Sequence, residues 1–296
     1  MDENVVRVRN LRKEYGNRAV VDDVSFDIAR GETFALLGPN GAGKTTTVEI
    51  LEGFRRRTGG EVSVLGEDPG KAGLAWKARI GVVLQSAGEF GAFTVREQIR
   101  QFAGFFPKPR DVDEVIAAVG LEAQAGMRVN KLSGGQQRRV DVALGIVGSP
   151  DLLFLDEPTT GFDPQARLDF WAMIKGLSHD GTTILLTTHY LEEAAHLADR
   201  VGIIVGGQLG AIGPVDTIGG EDARTPIVRW TDAGTRHEQR TREPGRFVAD
   251  LVARAGAEPA DVEIVRPTLE DIYLDLVSND DGAADAADAP VKEESR

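Results

Sequence analysis

Between residues 38 and 45 the chain reads Gly38-Pro39-Asn40-Gly41-Ala42-Gly43-Lys44-Thr45, with Thr46 next, and this matches the pattern G-x-x-x-x-G-K-S/T in full. The stretch follows an apolar run and opens a helical pattern, a context that makes the motif specific. Its glycines let backbone N–H groups point inward at a phosphate, and the helix N-terminus adds partial positive charge there. The stretch predicts a nucleotide phosphate loop in which Lys44 reaches the β- and γ-phosphates and Thr45 binds Mg²⁺. The alternative is a plain glycine-rich turn before a helix.

After the first 30 residues, apolar runs alternate with helical patterns along the chain. The strands predicted from the runs, each apolar on both faces, are Thr33–Leu37, Ile80–Leu84, Leu152–Leu155, Thr182–Thr187 and Val201–Val205. The helices predicted between them are Lys44–Glu52, Val95–Phe105, Gly134–Val147, Gln165–Leu177 and Leu191–Ala198. This alternation predicts an α/β fold with a largely parallel sheet. Val5–Val8 and Val24–Ile28 alternate in polarity around a turn at Gly16-Asn17, which predicts a small antiparallel layer.

A second motif is an apolar strand that ends in two acids, Asp156 and Glu157. Such strand ends lie beside the phosphate loop in α/β nucleotide sites. We expect Asp156 to hold Mg²⁺, directly or through water, and Glu157 to polarise the water that attacks the γ-phosphate. The alternative is a strand followed by a solvated acidic turn.

A third motif, Leu132-Ser133-Gly134-Gly135-Gln136, has two readings. Ser133 and Gln136 have the S-x-x-Q spacing of a capping box at a helix start. Two adjacent glycines in a first helical turn are costly, because each loses about 1 kcal/mol of helix propensity against alanine. They do allow a ligand to approach the exposed N–H groups closely. The segment therefore predicts a second anion-binding helix N-terminus, distinct from the one at Lys44.

The three motifs, in this order and spacing, resemble the ATP-binding subunits of ABC transporters over about residues 5–220. The resemblance implies a P-loop NTPase fold of the ABC ATPase type, with an antiparallel β layer and a helical subdomain at about 86–150. In that family the LSGGQ segment of one subunit binds the γ-phosphate held by the phosphate loop of another. It therefore implies a head-to-tail pair of copies that enclose two ATP molecules, in which Ser133 and Gly135 complete the partner's site.

Further single residues match the family's pattern. Tyr15 matches the aromatic residue that stacks on adenine, Gln85 the glutamine that reaches Mg²⁺, and His189 the histidine that contacts the γ-phosphate. On its own, Tyr15 would read as an edge-strand residue of the sheet core, and Gln85 as a solvated residue. Asp163 matches the loop that crosses the dimer interface, where Phe162 replaces the more usual leucine.

Residues 51–60 and a late helix at Pro267–Leu276 resemble the drug-resistance ATPases typified by daunorubicin exporters. That resemblance implies export of a drug, antibiotic or lipid-like cargo through a separate integral membrane permease. Three alternatives stay open: a soluble ATPase of the same superfamily, an importer subunit, and a small-molecule kinase that uses the same phosphate loop. The kinase would not need the LSGGQ segment.

Changes in composition along the chain predict the domain limits. Its charge, its lack of cysteine and its N-terminal residues indicate its partners and its location. We expect an ATP-binding domain at 5–207, a small α+β accessory domain at 208–277 and a disordered acidic tail at 278–296. The net charge of −13 and the lack of a basic stripe argue against a nucleic-acid partner. Cysteine is absent, and the acidic N-terminus lacks the apolar core of a leader. We therefore expect a cytoplasmic protein held peripherally on the inner face of the membrane by its permease.

Overall fold

The computed structural model describes residues 4–85, 93–232, 234–255 and 260–274. The chain divides into two units, Met1–Ile212 and Gly213–Arg296. The division falls five residues later than the limit of 207 expected from the sequence, because the strand that begins at Gln208 joins the sheet of the first unit. The tail at 278–296 lies outside the described residues.

The elements of the described ranges follow in chain order. The strands are β1 (Asn4–Tyr15), β2 (Arg18–Ala29), β3 (Thr33–Leu37), β4 (Gly59–Val64), β5 (Ile80–Val83), β6 (Leu152–Asp156), β7 (Thr183–Thr188), β8 (Arg200–Val205), β9 (Gln208–Pro214), β10 (Ile227–Asp232), β11 (Thr235–Arg240) and β12 (Ala260–Val265). The helices are α1 (Lys44–Leu51), α2 (Leu74–Lys77), α3 (Val95–Ala103), α4 (Val112–Ala118), α5 (Gly134–Ile146), α6 (Pro164–His179), α7 (Leu191–Leu197), α8 (Gly220–Ala223), α9 (Pro244–Ala255) and α10 (269–274). None of these helices has the length and apolar content of a membrane span.

The central sheet has the strand order β5-β6-β7-β3-β8-β9. The pairs β5–β6, β6–β7, β7–β3 and β3–β8 are parallel, and β3, β6 and β7 are buried almost throughout, as the double-sided apolar runs predict. The carboxyl ends of parallel strands meet at one edge of a sheet. The segments that follow β3, β5, β6 and β7 therefore converge there, and each of the four carries a predicted site residue.

The antiparallel layer has the strand order β2-β1-β4. Its two long strands join at the predicted turn, where Gly16 adopts a positive φ of 60°. Both strands are longer than predicted, and β4 was not predicted. The layer packs on the central sheet through the stacked rings of Phe26 and Phe34, whose centroids lie 5.2 Å apart.

The helices α3, α4 and α5 lie between β5 and β6 in sequence, within the segment expected to form a helical subdomain. Two of them begin with a capping box, in which a side chain and the backbone satisfy each other's free groups. Thr94 and Glu97 form it in α3, and Ser133 and Gln136 form it in α5. The second of these is the capping box that the sequence predicts.

The second unit contains a three-stranded antiparallel sheet of order β11-β10-β12. Its buried side chains include Ile218, Val228 and Ile272. The predicted capping pair opens α10: Thr268 N–H and hydroxyl donate to Asp271 Oδ2 at 2.7 and 2.8 Å. The described part of this unit is an α+β arrangement.

Candidate functional site

The predicted phosphate loop joins the end of β3 to the start of α1. A cavity of about 350 Å³ opens at the loop, and its walls are formed by Val20, Asn40, Gly41, Gly43, Lys44, Thr45, Thr46, Gln85 and Glu157. Gly43 has a φ of 103°, and a Cβ atom there would lie 2.6 Å from the Val20 carbonyl oxygen. Only glycine fits this position, and the loop keeps the N-terminus of α1 directed at the cavity.

The Lys44 side chain bends back across the loop. It is 5% exposed, and its Nζ donates to the carbonyl oxygens of Gly38 at 2.7 Å and Pro39 at 3.1 Å. Burial lowers the pKa of Lys44, while the negative charges of Glu157 and Asp156 oppose that shift. A phosphate group in the cavity would offer this cation fully charged oxygens in place of the two carbonyls.

Several of the predicted residues lie around the carboxylate of Glu157. Gln85 Nε2 donates to Glu157 Oε2 at 3.0 Å, and the Thr160 hydroxyl donates to the same oxygen at 3.3 Å. Glu157 Oε1 lies 3.9 Å from Lys44 Nζ and 3.3 Å from His189 Nδ1. The last pair is close but is not aligned as a hydrogen bond. Four residues chosen from distant parts of the sequence thus share one small volume.

The backbone at Glu157 adopts a conformation that is rare for residues other than glycine, with a φ of 42°. Its N–H donates to the Thr187 carbonyl oxygen and to the Thr187 hydroxyl, both at 3.1 Å. Thr187 is fully buried on β7 and also donates its hydroxyl hydrogen to Asp156. Strained backbone of this kind persists where neighbouring groups fix it, and it is frequent at active sites.

Asp156 lies at the end of β6, beside the phosphate loop. Burial raises the pKa of its carboxyl, and the hydrogen bond from Thr187 opposes that shift. A second cavity, of about 460 Å³, is lined by Thr45, Gln85 and Asp156 among others. Hydroxyl, amide and carboxylate oxygens are the ligands that Mg²⁺ prefers, and Mg²⁺ completes its shell with phosphates and water. The donor set therefore fits Mg²⁺.

Glu52 also lines the second cavity, and the sequence analysis missed it. It caps the C-terminal end of α1, one helical turn after Glu49. Burial, together with the charges of Asp156 and Glu49, raises the pKa of Glu52 to about 8. Nothing in the sequence distinguishes it from a solvated glutamate at a helix end, because Leu84 and Asp156, which line the same cavity, come from distant parts of the chain.

Replacing Glu52 with glutamine is expected to stabilise the protein increasingly as the pH rises. Folding raises the pKa of Glu52 from 4.5 to about 8. Between these two pH values the folded wild type therefore keeps a proton that the unfolded chain has already released. Wild-type stability therefore falls across that window, and the variant lacks this loss. Between pH 5.5 and 8.5 the gain of Glu52→Gln over wild type should grow by roughly 2 kcal/mol, measured by urea unfolding in EDTA without nucleotide. The exposed Glu122→Gln variant is the control, and parallel curves for Glu52→Gln and wild type would contradict the assignment.

None of the LSGGQ residues lines either of the two cavities beside the phosphate loop of the same chain. In the described ranges, no hydrogen bond joins residues 133–136 to residues 38–45. Ser133 and Gly134 are exposed, and a Cβ atom at Gly134 would meet open space. Gly135 faces Ala166 and Phe162, and the Phe162 ring packs edge-on against Phe170. The N-terminus of α5 is thus free to receive a group from outside the chain.

Two other predicted positions are on the surface. Tyr15 ends β1 with 44% exposure, so it is not the sheet-core residue that the alternative reading required. Its hydroxyl accepts a hydrogen bond from Arg55, and Lys13 Nζ lies 4.8 Å from its ring centroid. Asp163 caps α6 by accepting from the Ala166 N–H at 2.9 Å. The fold and the site together define a nucleotide-binding domain of the phosphate-loop class.

Comparisons with known proteins assign the chain to a family within that class. A family model described as ABC transporter matches residues 21–160. Nod factor export ATP-binding protein I of Cupriavidus pinatubonensis is 36% identical over 303 residues, covering 93% of this chain and 91% of its own. The protein of the same name from Paraburkholderia xenovorans is 42% identical over 213 residues, 70% of each chain. The chain belongs to the ATP-binding subunits of ABC transporters, it binds ATP, and it is an ATPase.

Solved structures agree on the fold. A structure titled as the ATP binding subunit of an ABC transporter has a TM-score of 0.67 at 22% identity, covering 92% of this chain and 99% of its own. A dimeric ATP-binding cassette in a post-hydrolysis state, bound to ADP and Pi, has a TM-score of 0.61 at 23% identity, covering 71% and 98%. The predicted fold class is confirmed.

Proposed function

We propose that this chain is the ATP-hydrolysing subunit of an exporter, working as a head-to-tail pair of copies on a separate membrane permease. The observation that carries the catalytic part is the convergence of Lys44, Gln85 and His189 on the Glu157 carboxylate. Two observations support the pair: Ser133 and Gly134 are exposed, and none of the LSGGQ residues lines the two cavities at that centre.

In the proposed mechanism, ATP lies with its phosphates in the loop cavity. Its phosphate oxygens replace the carbonyl oxygens of Gly38 and Pro39 as hydrogen-bond acceptors for Lys44 Nζ. The Glu157 carboxylate accepts a hydrogen bond from the attacking water and aligns it with the γ-phosphate. Gln85 and Thr160 hold that carboxylate. In this proposal His189, whose Nδ1 lies 3.3 Å from Glu157 Oε1, donates to a γ-phosphate oxygen. Mg²⁺, held by Thr45, Asp156 and Gln85, would supply positive charge to the β- and γ-phosphate oxygens. Preorganised donors of this kind stabilise the charge that develops in the transition state.

The partner copy would supply what the site lacks. The first turn of α5 presents the Ser133 hydroxyl and the N–H groups of Gly134 and Gly135 at a helix N-terminus, which is a ready anion site. In the pair, these groups of one copy bind the γ-phosphate in the loop of the other, and Tyr15 stacks on the adenine. A fold relative has been solved as a dimer bound to ADP and Pi, which supports this arrangement.

Export is supported by the names of the relatives. Proteins called Nod factor export ATP-binding protein I cover up to 93% of this chain, second unit included. We propose a drug, antibiotic or lipid-like cargo, and a position on the inner face of the membrane through the permease. The second unit is proposed to be an accessory domain of this subunit.

The coupling to a permease is testable by the rate of ATP hydrolysis. The tagged chain is isolated from detergent-solubilised membranes of its host, and a multi-span protein that accompanies it is identified and reconstituted with it in proteoliposomes. We expect phosphate release at least about threefold faster than from the isolated chain, because the permease orders the closed pair. Lys44→Ala should abolish the rate in both preparations. Isolation of the chain without any multi-span protein, or equal rates with and without it, would overturn the exporter assignment.

A further inference from the structure

Arg138 is a buried arginine on the second turn of α5, and the mechanism above does not use it. It is 5% exposed. Its Nε donates to the Pro158 carbonyl oxygen at 3.1 Å, its Nη2 donates to the Asp156 carbonyl oxygen at 2.9 Å, and its Nη1 donates to the Leu84 carbonyl oxygen. One guanidinium therefore holds three backbone carbonyls from two separate loops.

These three carbonyls belong to the immediate neighbours of the proposed catalytic residues. Asp156 and Pro158 flank Glu157, whose φ of 42° is the strained angle at this site. Leu84 precedes Gln85, whose amide donates to the Glu157 carboxylate at 3.0 Å. Arg138 thus fixes the peptide unit before Glu157 and the one after Pro158. Holding the backbone at these two points restricts the direction in which the Glu157 side chain leaves it.

The chemistry of the contact is specific to arginine. The planar guanidinium has five N–H donors in a fixed fork, which lets it bind several acceptors in different directions at once. Its charge is compensated by the Asp141 carboxylate 3.7 Å away, whose pKa burial raises to about 6. Burying this charge is expensive, so its retention without a closer ion pair points to a role for the carbonyl contacts.

We propose that Arg138 is a positioning residue for ATP hydrolysis, which fixes the loops of Glu157 and Gln85 against the helix that begins with the LSGGQ segment. This inference rests on the proposed role of Glu157 as the residue that aligns water. It also ties two functions within one chain: α5 presents Ser133 to a partner copy, and five residues later the same helix holds the chain's own catalytic loop.

The neighbouring Arg139 provides a matched control. It lies on the same helix, is half-buried and donates to one carbonyl oxygen, that of Val119, at 3.1 Å, away from the Glu157 loop. We expect Arg138→Gln to lower kcat roughly 10- to 100-fold through misalignment of Glu157. The KM for ATP should stay within about threefold, since the phosphate loop is untouched. Arg139→Gln should retain kcat within about twofold, because a half-buried carbonyl contact outside the site carries no catalytic geometry.

Double variants show whether Arg138 acts through Glu157. Single-turnover hydrolysis is measured for Glu157→Gln with and without Arg138→Gln. Residues that act as a unit are not additive, so the second change should cost less than about twofold in the Glu157→Gln background. An equal fall of the hydrolysis rate in both backgrounds would overturn the inference. So would an Arg138→Gln variant in which the KM for ATP changes and kcat does not. If Arg138→Gln does not fold, Arg138→Lys keeps the charge without the fork and is tested in the same cycle; full wild-type kcat in that variant would also overturn it. Loss of the proposed function itself shows separately, as a wild-type rate in Glu157→Gln alone.

Discussion

Glu157→Gln is expected to bind ATP with nearly unchanged affinity and to hydrolyse it at least about 100-fold more slowly than wild type. The amide is isosteric with the carboxylate and can keep one hydrogen bond to Gln85 or Thr160, but it cannot accept a proton or attract the attacking water as a charge does. Lys44 and the loop N–H groups, which we propose to hold the phosphates, are unchanged. Phosphate release and the binding of a fluorescent ATP analogue measure the two properties separately.

The same variant should also accumulate as a pair of copies when ATP is added. If hydrolysis removes the phosphate that joins the two copies, a variant that binds without hydrolysing keeps them together, and it should elute earlier in size-exclusion chromatography with ATP than with ADP. Glu192→Gln, an exposed glutamate at the start of α7, is the control and should behave as wild type. Hydrolysis by Glu157→Gln at the wild-type rate would contradict the assignment of the water-aligning residue.

The central sheet was predictable because its strands are buried on both faces. Thr33–Leu37 was predicted to the residue, and β6 and β7 within one residue at either end. The strand β4 was missed because it starts with two glycines and a glutamate, and it gains its pairing only from β1. The strand β9 alternates in burial and continues β8 through a turn in which Gly206 and Gly207 both have positive φ. The pairing of β4 is long-range, and no local pattern encodes it, whereas β9 is the neighbour of β8 across a two-residue connection.

The site divides in the same way. The motif residues could be predicted because the chemistry of phosphate binding fixes their spacing. Arg138 and Glu52 were missed because each reads as a surface charge on a helix. The buried residues of α5 lie on more than one face of the helix, so the helical period alone does not mark Arg138 as buried. Only the packing of α5 against the ends of β5 and β6 shows that its guanidinium is inside.

Mixing two inactive variants is expected to restore hydrolysis if each site is shared between two copies. The first variant is Glu157→Gln. The second is Ser133→Asp, which keeps a good helix cap but places a negative charge where the partner's γ-phosphate would lie. Each variant alone has two damaged sites per pair. A mixed pair places both changes in one site and leaves the other intact, so an equal mixture should regain up to about a quarter of the wild-type rate.

Ser133→Asn is the matched control, because asparagine caps the helix equally well without the charge. It should keep more than about a tenth of wild-type activity alone, since only one neutral hydrogen bond to phosphate is altered. The recovered rate in the mixture should rise when either inactive variant is added in excess over a fixed amount of the other, as random pairing requires. Absence of any recovery at every ratio, with both variants folded, would mean that residues 133–136 and the phosphate loop do not meet across two copies. Their separation within one chain would then need another explanation, because the capping box alone does not require two glycines.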